Sequence, residues 1–303
     1  MRSPLIRSSY EEIYEKISDA ARWLTDHGLR VEPTRIGEYK RVFGKILSLC
    51  KSGNFNDDEK RKYFLEYVNI VYEVQELVYI YNGLSPLMTA DLSSRFQMFV
   101  KGPASYTDEN IKTSSNVARN IAFELLVSAK LASAGLKIDF GTNADLKIIL
   151  GDYVIFVECK RPQHSHQLNS NIKGALSQLE NRYKSHNDTN KPRGIIAISL
   201  TKILNPNQNI LVAKNTETLH SSTERMLDNF HNEYKSKWFL PHDIRTIGAL
   251  IYFSVPTLVE EENIIAHSYQ IDFTNCCDPK CDDMEIIRDI AKQVENSEVT
   301  TKY

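Results

Sequence analysis

Residues 144–160, ADLKIILGDYVIFVECK, constrain this chain more than any other stretch. Two apolar runs flank Gly151-Asp152, and a glycine in the first central position specifies a two-residue type II′ hairpin. Such a turn leaves no freedom of register. Residues equidistant from it face each other, so Asp145 falls directly opposite Glu158. Opposed residues hold their Cβ atoms about 4.5–5.5 Å apart, where like charges repel unless something offsets them. A divalent cation is one such counter-charge. Side chains alternate along a strand, so Lys160 projects from the face of Glu158 while Cys159 points away. The expected result is two carboxylates and one ammonium on a rigid hairpin. Lys147, opposite Phe156 on the same face, is a cation that could neutralise the carboxylates without metal.

The rest of the chain places this hairpin. Residues 8–100 read as helical. Ser9 with Glu12 three residues later forms a capping box, and Ile13, Ile17, Ala20, Ala21 and Leu24 follow at helical spacing. A second helix is expected over 33–51, and a third from the Asn56-Asp57-Asp58 cap signal to just before Gly83. The aromatics of this region (Tyr63, Phe64, Tyr67, Tyr72, Tyr79, Tyr81) are mostly helix-spaced and read as core. Residues 101–115 read as a connector, which places a boundary between a helical N-terminal domain, 1–105, and a second domain, 106–303.

A helix over 113–134, closed by Gly135, is apolar nearly all round. Glu124 is the exception. A carboxylate sharing a face with Val117, Ile121, Val127, Ser128 and Leu131 is either paired structurally or recruited to a site. A strand over 136–140 precedes the hairpin, and Arg161-Pro162 ends it. A helix over 168–185 then carries an apolar stripe of Ile172, Ala175, Leu176, Leu179 and Tyr183, beside a polar one of Asn171, Gly174, Gln178 and Arg182. Strands over 194–200, 247–255 and 266–273 alternate with helices over 217–237 and 283–294. Such alternation specifies an α/β sheet between helices.

Carboxylates converging beside an ammonium suit metal-dependent hydrolysis of a phosphodiester. Mg²⁺ (or Mn²⁺) prefers oxygen ligands and binds through one or two carboxylates with phosphate and water. Asp145 and Glu158 are the expected ligands, with Glu124 as a third or water-mediated one. Lys160 is placed to orient or deprotonate the attacking water, or to stabilise the transition state.

Asp145 followed across a hairpin by Glu158-Cys159-Lys160, with Glu124 on the preceding helix, resembles the PD-(D/E)xK nuclease superfamily. The resemblance runs over residues 113–200 and implies a core of helix, three strands, helix and strand. The fold class it implies is α/β, a restriction-endonuclease-like mixed sheet flanked by helices, here joined to an all-helical N-terminal domain. It further implies metal ligation by Asp145, Glu158 and the carbonyl of Cys159, catalysis by Lys160, and a polar role beside the site for Gln178. Ala144 stands where the family name has proline. Tyr183 lies five residues after Gln178, where the RecB-like branch has a tyrosine four residues on.

A net charge of −2 over 303 residues excludes a global basic field as the means of holding a polyanion. A local one is supplied by Lys160, Arg161, Lys173, Arg182, Lys184, Lys191 and Arg193, set against Glu180 and Asp188. Arg161, Lys173, Arg182 and Lys184 are the expected phosphate-backbone contacts. The expected partner is nucleic acid, DNA rather than RNA, with a second copy of the chain or a separate ATPase, helicase or sensor subunit as further partners. No phosphate-binding glycine loop is present. His164-Ser165-His166 lacks a third metal ligand, and Cys276-Cys277 with Cys281 lacks a fourth. The irregular spacing of these cysteines with Cys50 and Cys159, and the lack of any long apolar run, fit a reducing cytoplasm and no membrane. The function expected is a Mg²⁺-dependent DNA endonuclease in a bacterial restriction or anti-phage defence setting. The alternative is a catalytically inactive nucleic-acid-binding or assembly module on the same core.

Overall fold

The computed structural model describes residues 9–53, 57–104, 109, 115–141, 144–207, 209–238, 243–262, 264–275 and 283–300. Cys276, Cys277, Cys281, the Asn56 cap and the side chains of Tyr63, Phe64, Tyr67 and Tyr72 lie outside the described residues. The chain divides into two compact units: one holds the described residues up to 129 together with 264–267, the other the remainder from 130 onward.

The first unit is built on α1 (Tyr10–Asp26), α2 (Arg35–Lys51), α3 (Asp57–Leu84), α4 (Ala90–Phe99) and most of α5 (Ser115–Ser133). The capping box at the start of α1 is realised. Ser9 Oγ accepts from the Glu12 N–H at 3.1 Å, and Glu12 Oε2 accepts from the Ser9 N–H at 2.6 Å. The third helix runs through Gly83 to Leu84 rather than stopping before it. Gly83 serves a close helix contact: a Cβ there would stand 2.6 Å from the carbonyl oxygen of Ala129 in α5. A separate helix, α4, begins at Thr89, whose Oγ1 caps the Leu92 N–H at 3.2 Å. The contact division falls inside α5, later than the 105/106 boundary expected from composition. A helix apolar on every side has to be covered on every side, and residues 118–130 are all out of solvent except Asn120. This unit also takes in the start of a strand at 264–267, so it is not helical throughout.

The second unit is α/β, a mixed open sheet flanked by helices. Its strands are β1 (Lys137–Asp139), β2 (Leu146–Leu150), β3 (Tyr153–Lys160), β4 (Lys191–Ser199), β5 (Leu211–Ala213), β6 (Thr246–Val259) and β7 (Ile264–Asn275). The sheet order is β1-β2-β3-β4-β6-β5, with β7 also paired to β6. The β1–β2 and β2–β3 pairings are antiparallel, whereas β3–β4, β4–β6 and β5–β6 are parallel. Its helices are α6 (Leu168–Ser185), the single turn α7 (Thr201–Leu204), α8 (Thr216–Trp238) and α9 (Asp283–Thr300).

The hairpin has the expected register, Leu146 opposite Val157 through Leu150 opposite Tyr153, around Gly151 at φ +54°. Gly135 ends α5 at φ +83°, with the Leu136 N–H on the Leu131 carbonyl at 3.1 Å. β4 starts at Lys191 and includes Pro192. A proline is tolerated there because pairing with β6 begins only at Gly194, so this stretch of β4 has a ladder partner on one side alone.

Val154 and Phe156 of β3, Ile196 and Ile198 of β4, and Ala249, Ile251 and Phe253 of β6 form one apolar face. Leu168, Ile172, Ala175, Leu179 and Tyr183 of α6 cover it, with Leu227, Phe230 and Tyr234 of α8. Glu158 and Lys160 follow Phe156 along the same side of β3, so both face the layer occupied by α6. Helix and sheet meet closely at Gly194. A Cβ there would stand 2.0 Å from the Tyr183 hydroxyl and 2.9 Å from a Leu179 methyl, and the hydroxyl is itself bonded to Thr246 Oγ1 at 2.9 Å. Gly194→Ala is therefore expected to destabilise the protein by about 1–3 kcal/mol, read as a lower urea midpoint. An unchanged midpoint would mean that α6 has room to back away.

Candidate active site

The site forms at the carboxyl end of β3. The β2 ladder stops at Leu146, and Asp145 sits on the bend just before it. The carboxylate of Asp145 accepts the Cys159 N–H at 2.6 Å, which anchors it to the end of β3. Cys159 is half-buried, and in a strand the carbonyl of a residue points to the same side as its N–H, so this carbonyl projects towards Asp145.

Glu158 is the centre of the arrangement. Its side chain has no solvent exposure. Arg182, one turn beyond Gln178 on the same stripe of α6, donates from Nε to Glu158 Oε1 at 3.1 Å. Lys160 Nζ stands 3.7 Å from Oε2, which accepts no hydrogen bond. Burial first, and the neighbouring Asp145 carboxylate second, push the Glu158 carboxyl up to about 7, against the opposing pull of Lys160 and Arg182. Desolvation thus outweighs two adjacent cations, as it does for carboxyl groups sealed from water.

Lys147 is taken out of the competition. Its ammonium pairs with Asp139 directly across the β1–β2 ladder, at 2.8 Å. The cations facing Glu158 are instead Lys160 and Arg182, and the role of Arg182 as partner of a site carboxylate was not anticipated. The signal for it was present: Arg182 is four residues after Gln178, and such residues are neighbours on a helix surface.

Other expected residues are distributed differently. Glu124 belongs to the helical unit, where its carboxylate is ion-paired with Arg95 of α4. That pair accounts for the burial that made Glu124 conspicuous. Gln178 is half-buried on the stripe of Arg182. Lys173 and Lys184 are exposed, but Lys173 is two and a half turns from Arg182 and Lys184 only two residues from it, so both face elsewhere. Arg161 directly follows Lys160 and is half-buried. Arg193 is held by Asp283 at 2.7 Å. His164 and His166 stack on each other with ring centroids 5.3 Å apart. Among the described residues, no three His, Cys, Asp or Glu side chains converge as a metal cage, and no helix is long and apolar enough to cross a membrane.

Compared with protein-family models, curated proteins and solved structures, the chain matches none. What can be said of the site therefore rests on its own geometry.

The raised Glu158 pKa carries a pH signature. A carboxyl that titrates near 4.5 when unfolded and near 7 when folded binds more protons in the native state between those values. Its contribution to stability is then greatest below pH 4.5 and is lost as pH rises through 7, by on the order of 3 kcal/mol. Glu158→Gln removes the titration. The stability of the wild type relative to this variant is expected to fall between pH 5 and pH 8 in urea unfolding. A difference that is flat across that range would contradict the assignment.

Proposed function

We propose that the chain is a metal-dependent nuclease, with Asp145, Glu158 and Lys160 as its active centre and DNA as the favoured substrate. The observation that carries this reading is the Glu158 carboxylate: fully buried, set against a second carboxylate, and with one oxygen accepting no hydrogen bond. For a purely structural role such an arrangement is wasteful, since apolar residues of similar volume commonly stabilise as well or better than a buried ion pair. The order α5, β1, β2, β3, α6, β4 supports a PD-(D/E)xK-type core, and a restriction or anti-phage setting follows from that resemblance.

The donors fit Mg²⁺ or Mn²⁺, which need hard anionic oxygens and take only one or two carboxylates from protein. Asp145 and Glu158 would hold the ion, with the Cys159 carbonyl as a further oxygen. When bound, it would neutralise charge on the phosphoryl oxygens and lower the pKa of a coordinated water. The chain itself supplies the rest. The Cys159 N–H fixes the direction of the Asp145 carboxylate. The Lys160 ammonium, 3.7 Å from Glu158, is placed to orient the attacking water or to donate to a non-bridging oxygen as charge develops. Gln178 lies along the helix stripe that faces the same end of β3.

A second reading has its own support. Lys160 and Arg182 already balance the charges of Asp145 and Glu158, which is what an inactive nucleic-acid-binding or assembly module would retain.

The two readings separate in one assay. Purified protein is incubated with plasmid, linear duplex, single-stranded DNA and RNA in Mg²⁺, Mn²⁺ or EDTA. Cleavage by the wild type is expected to stop in EDTA, and Asp145→Asn and Lys160→Ala are each expected to slow it at least 100-fold. Cleavage that ignores EDTA or survives both substitutions would overturn the mechanism, and binding without cleavage would favour the second reading.

A further inference from the structure

We infer that Arg182 is an exchangeable counter-ion: it occupies Glu158 in the free protein and transfers to a substrate phosphate, so that metal ion and nucleic acid load together. The inference rests on the nuclease reading above and adds to it a coupling between metal and nucleic acid, carried by a change of partner at Arg182.

Three observations carry it. First, Glu158 is 0% exposed, while the two cations against it, Arg182 and Lys160, retain 20% and 17% exposure. They stand against its two oxygens, Lys160 Nζ 3.7 Å from Oε2 and Arg182 Nε 3.1 Å from Oε1, so an ion that takes Oε1 has to displace Arg182. Second, with Glu158 ionised the four charges of Asp145, Glu158, Lys160 and Arg182 sum to zero. A divalent cation added to that set leaves two uncompensated positive charges in a poorly solvated place, where such an excess is strongly unfavourable. A phosphodiester strand brings the missing negative charge. Third, Arg182 has somewhere to go. It lies in the last turn of α6 with its side chain partly in solvent, and a guanidinium binds phosphate oxygens with the same forked geometry it uses for carboxylate. Metal then favours nucleic acid and nucleic acid favours metal by the same factor, as linkage requires.

The test is Mn²⁺ titration of the full chain by calorimetry at pH 8, with and without a 20-base-pair duplex. The duplex arms use a Lys160→Gln background to prevent cleavage. The duplex is expected to tighten Mn²⁺ binding at least 10-fold. Arg182→Met is expected to tighten Mn²⁺ binding at least 10-fold in the absence of nucleic acid, to abolish the further gain from the duplex, and to lower kcat for cleavage. Arg182→Lys should restore part of the coupling. Circular dichroism and the urea midpoint serve as controls for folding. If Arg182→Met binds Mn²⁺ no more tightly than wild type, or if the duplex leaves the Mn²⁺ affinity of the Lys160→Gln protein unchanged while Asp145→Asn still weakens it, the exchange is wrong and the nuclease reading stands. If Mn²⁺ binds no variant under any condition, or binds regardless of Asp145→Asn and Glu158→Gln, the nuclease reading itself fails.

Discussion

The ion pair between Glu158 and Arg182 is the interaction on which the geometry of the site depends. A carboxylate shut off from water costs several kcal/mol to keep charged, and only close cations make the charged form accessible near neutral pH. Meeting that need ties the end of β3 to the last turn of α6, and α6 is the helix that covers the apolar face of β3, β4 and β6. The polar contact and the core packing therefore impose the same alignment. One could not shift without disturbing the other.

The chemistry also depends on how little of the chain is needed to assemble it. The hairpin sets Asp145 at the end of β3, a two-residue alternation adds Lys160 beside Glu158, and one crossover through α6 to the parallel strand β4 returns Arg182 to the same point. Backbone as well as side chains take part, since the Cys159 N–H holds Asp145. All of this lies at the carboxyl end of a parallel strand pair, the position where open α/β sheets commonly place their ligands.

Much of the architecture was legible in the sequence because its signals were local. Gly151-Asp152 fixed the hairpin register, Gly135 the end of α5, and Ser9 with Glu12 the start of α1. The failures share a different cause. Gly83 looked like a helix stop, but its hydrogen atom is needed for contact with Ala129, a partner forty-six positions away that no window contains. Pro192 hid the start of β4 because one-sided pairing is a property of the sheet. β5 and α7 are too short to show a period. Within the site, Glu158 and Lys160 could be derived from strand alternation; Asp145 was expected directly opposite Glu158, but the ladder stops at Leu146 and a bend turns its carboxylate to the Cys159 N–H. The partners of Lys147, Glu124 and Arg182 could not be derived, because each is chosen by a neighbouring strand or helix: Asp139 for Lys147, Arg95 for Glu124, and Glu158 for Arg182.

The contact at Gly194 has a mechanical consequence. The Tyr183 hydroxyl and Leu179 are seated where a side chain of β4 would otherwise stand, which brings α6 close to the sheet. Tyr183 is the residue after Arg182, and its bond to Thr246 pins that turn of the helix. The turn is stiff, so a change of charge at Glu158 cannot be absorbed by the helix sliding or tilting. It falls instead to the torsions of the Arg182 side chain, a local motion that leaves the helix where it is.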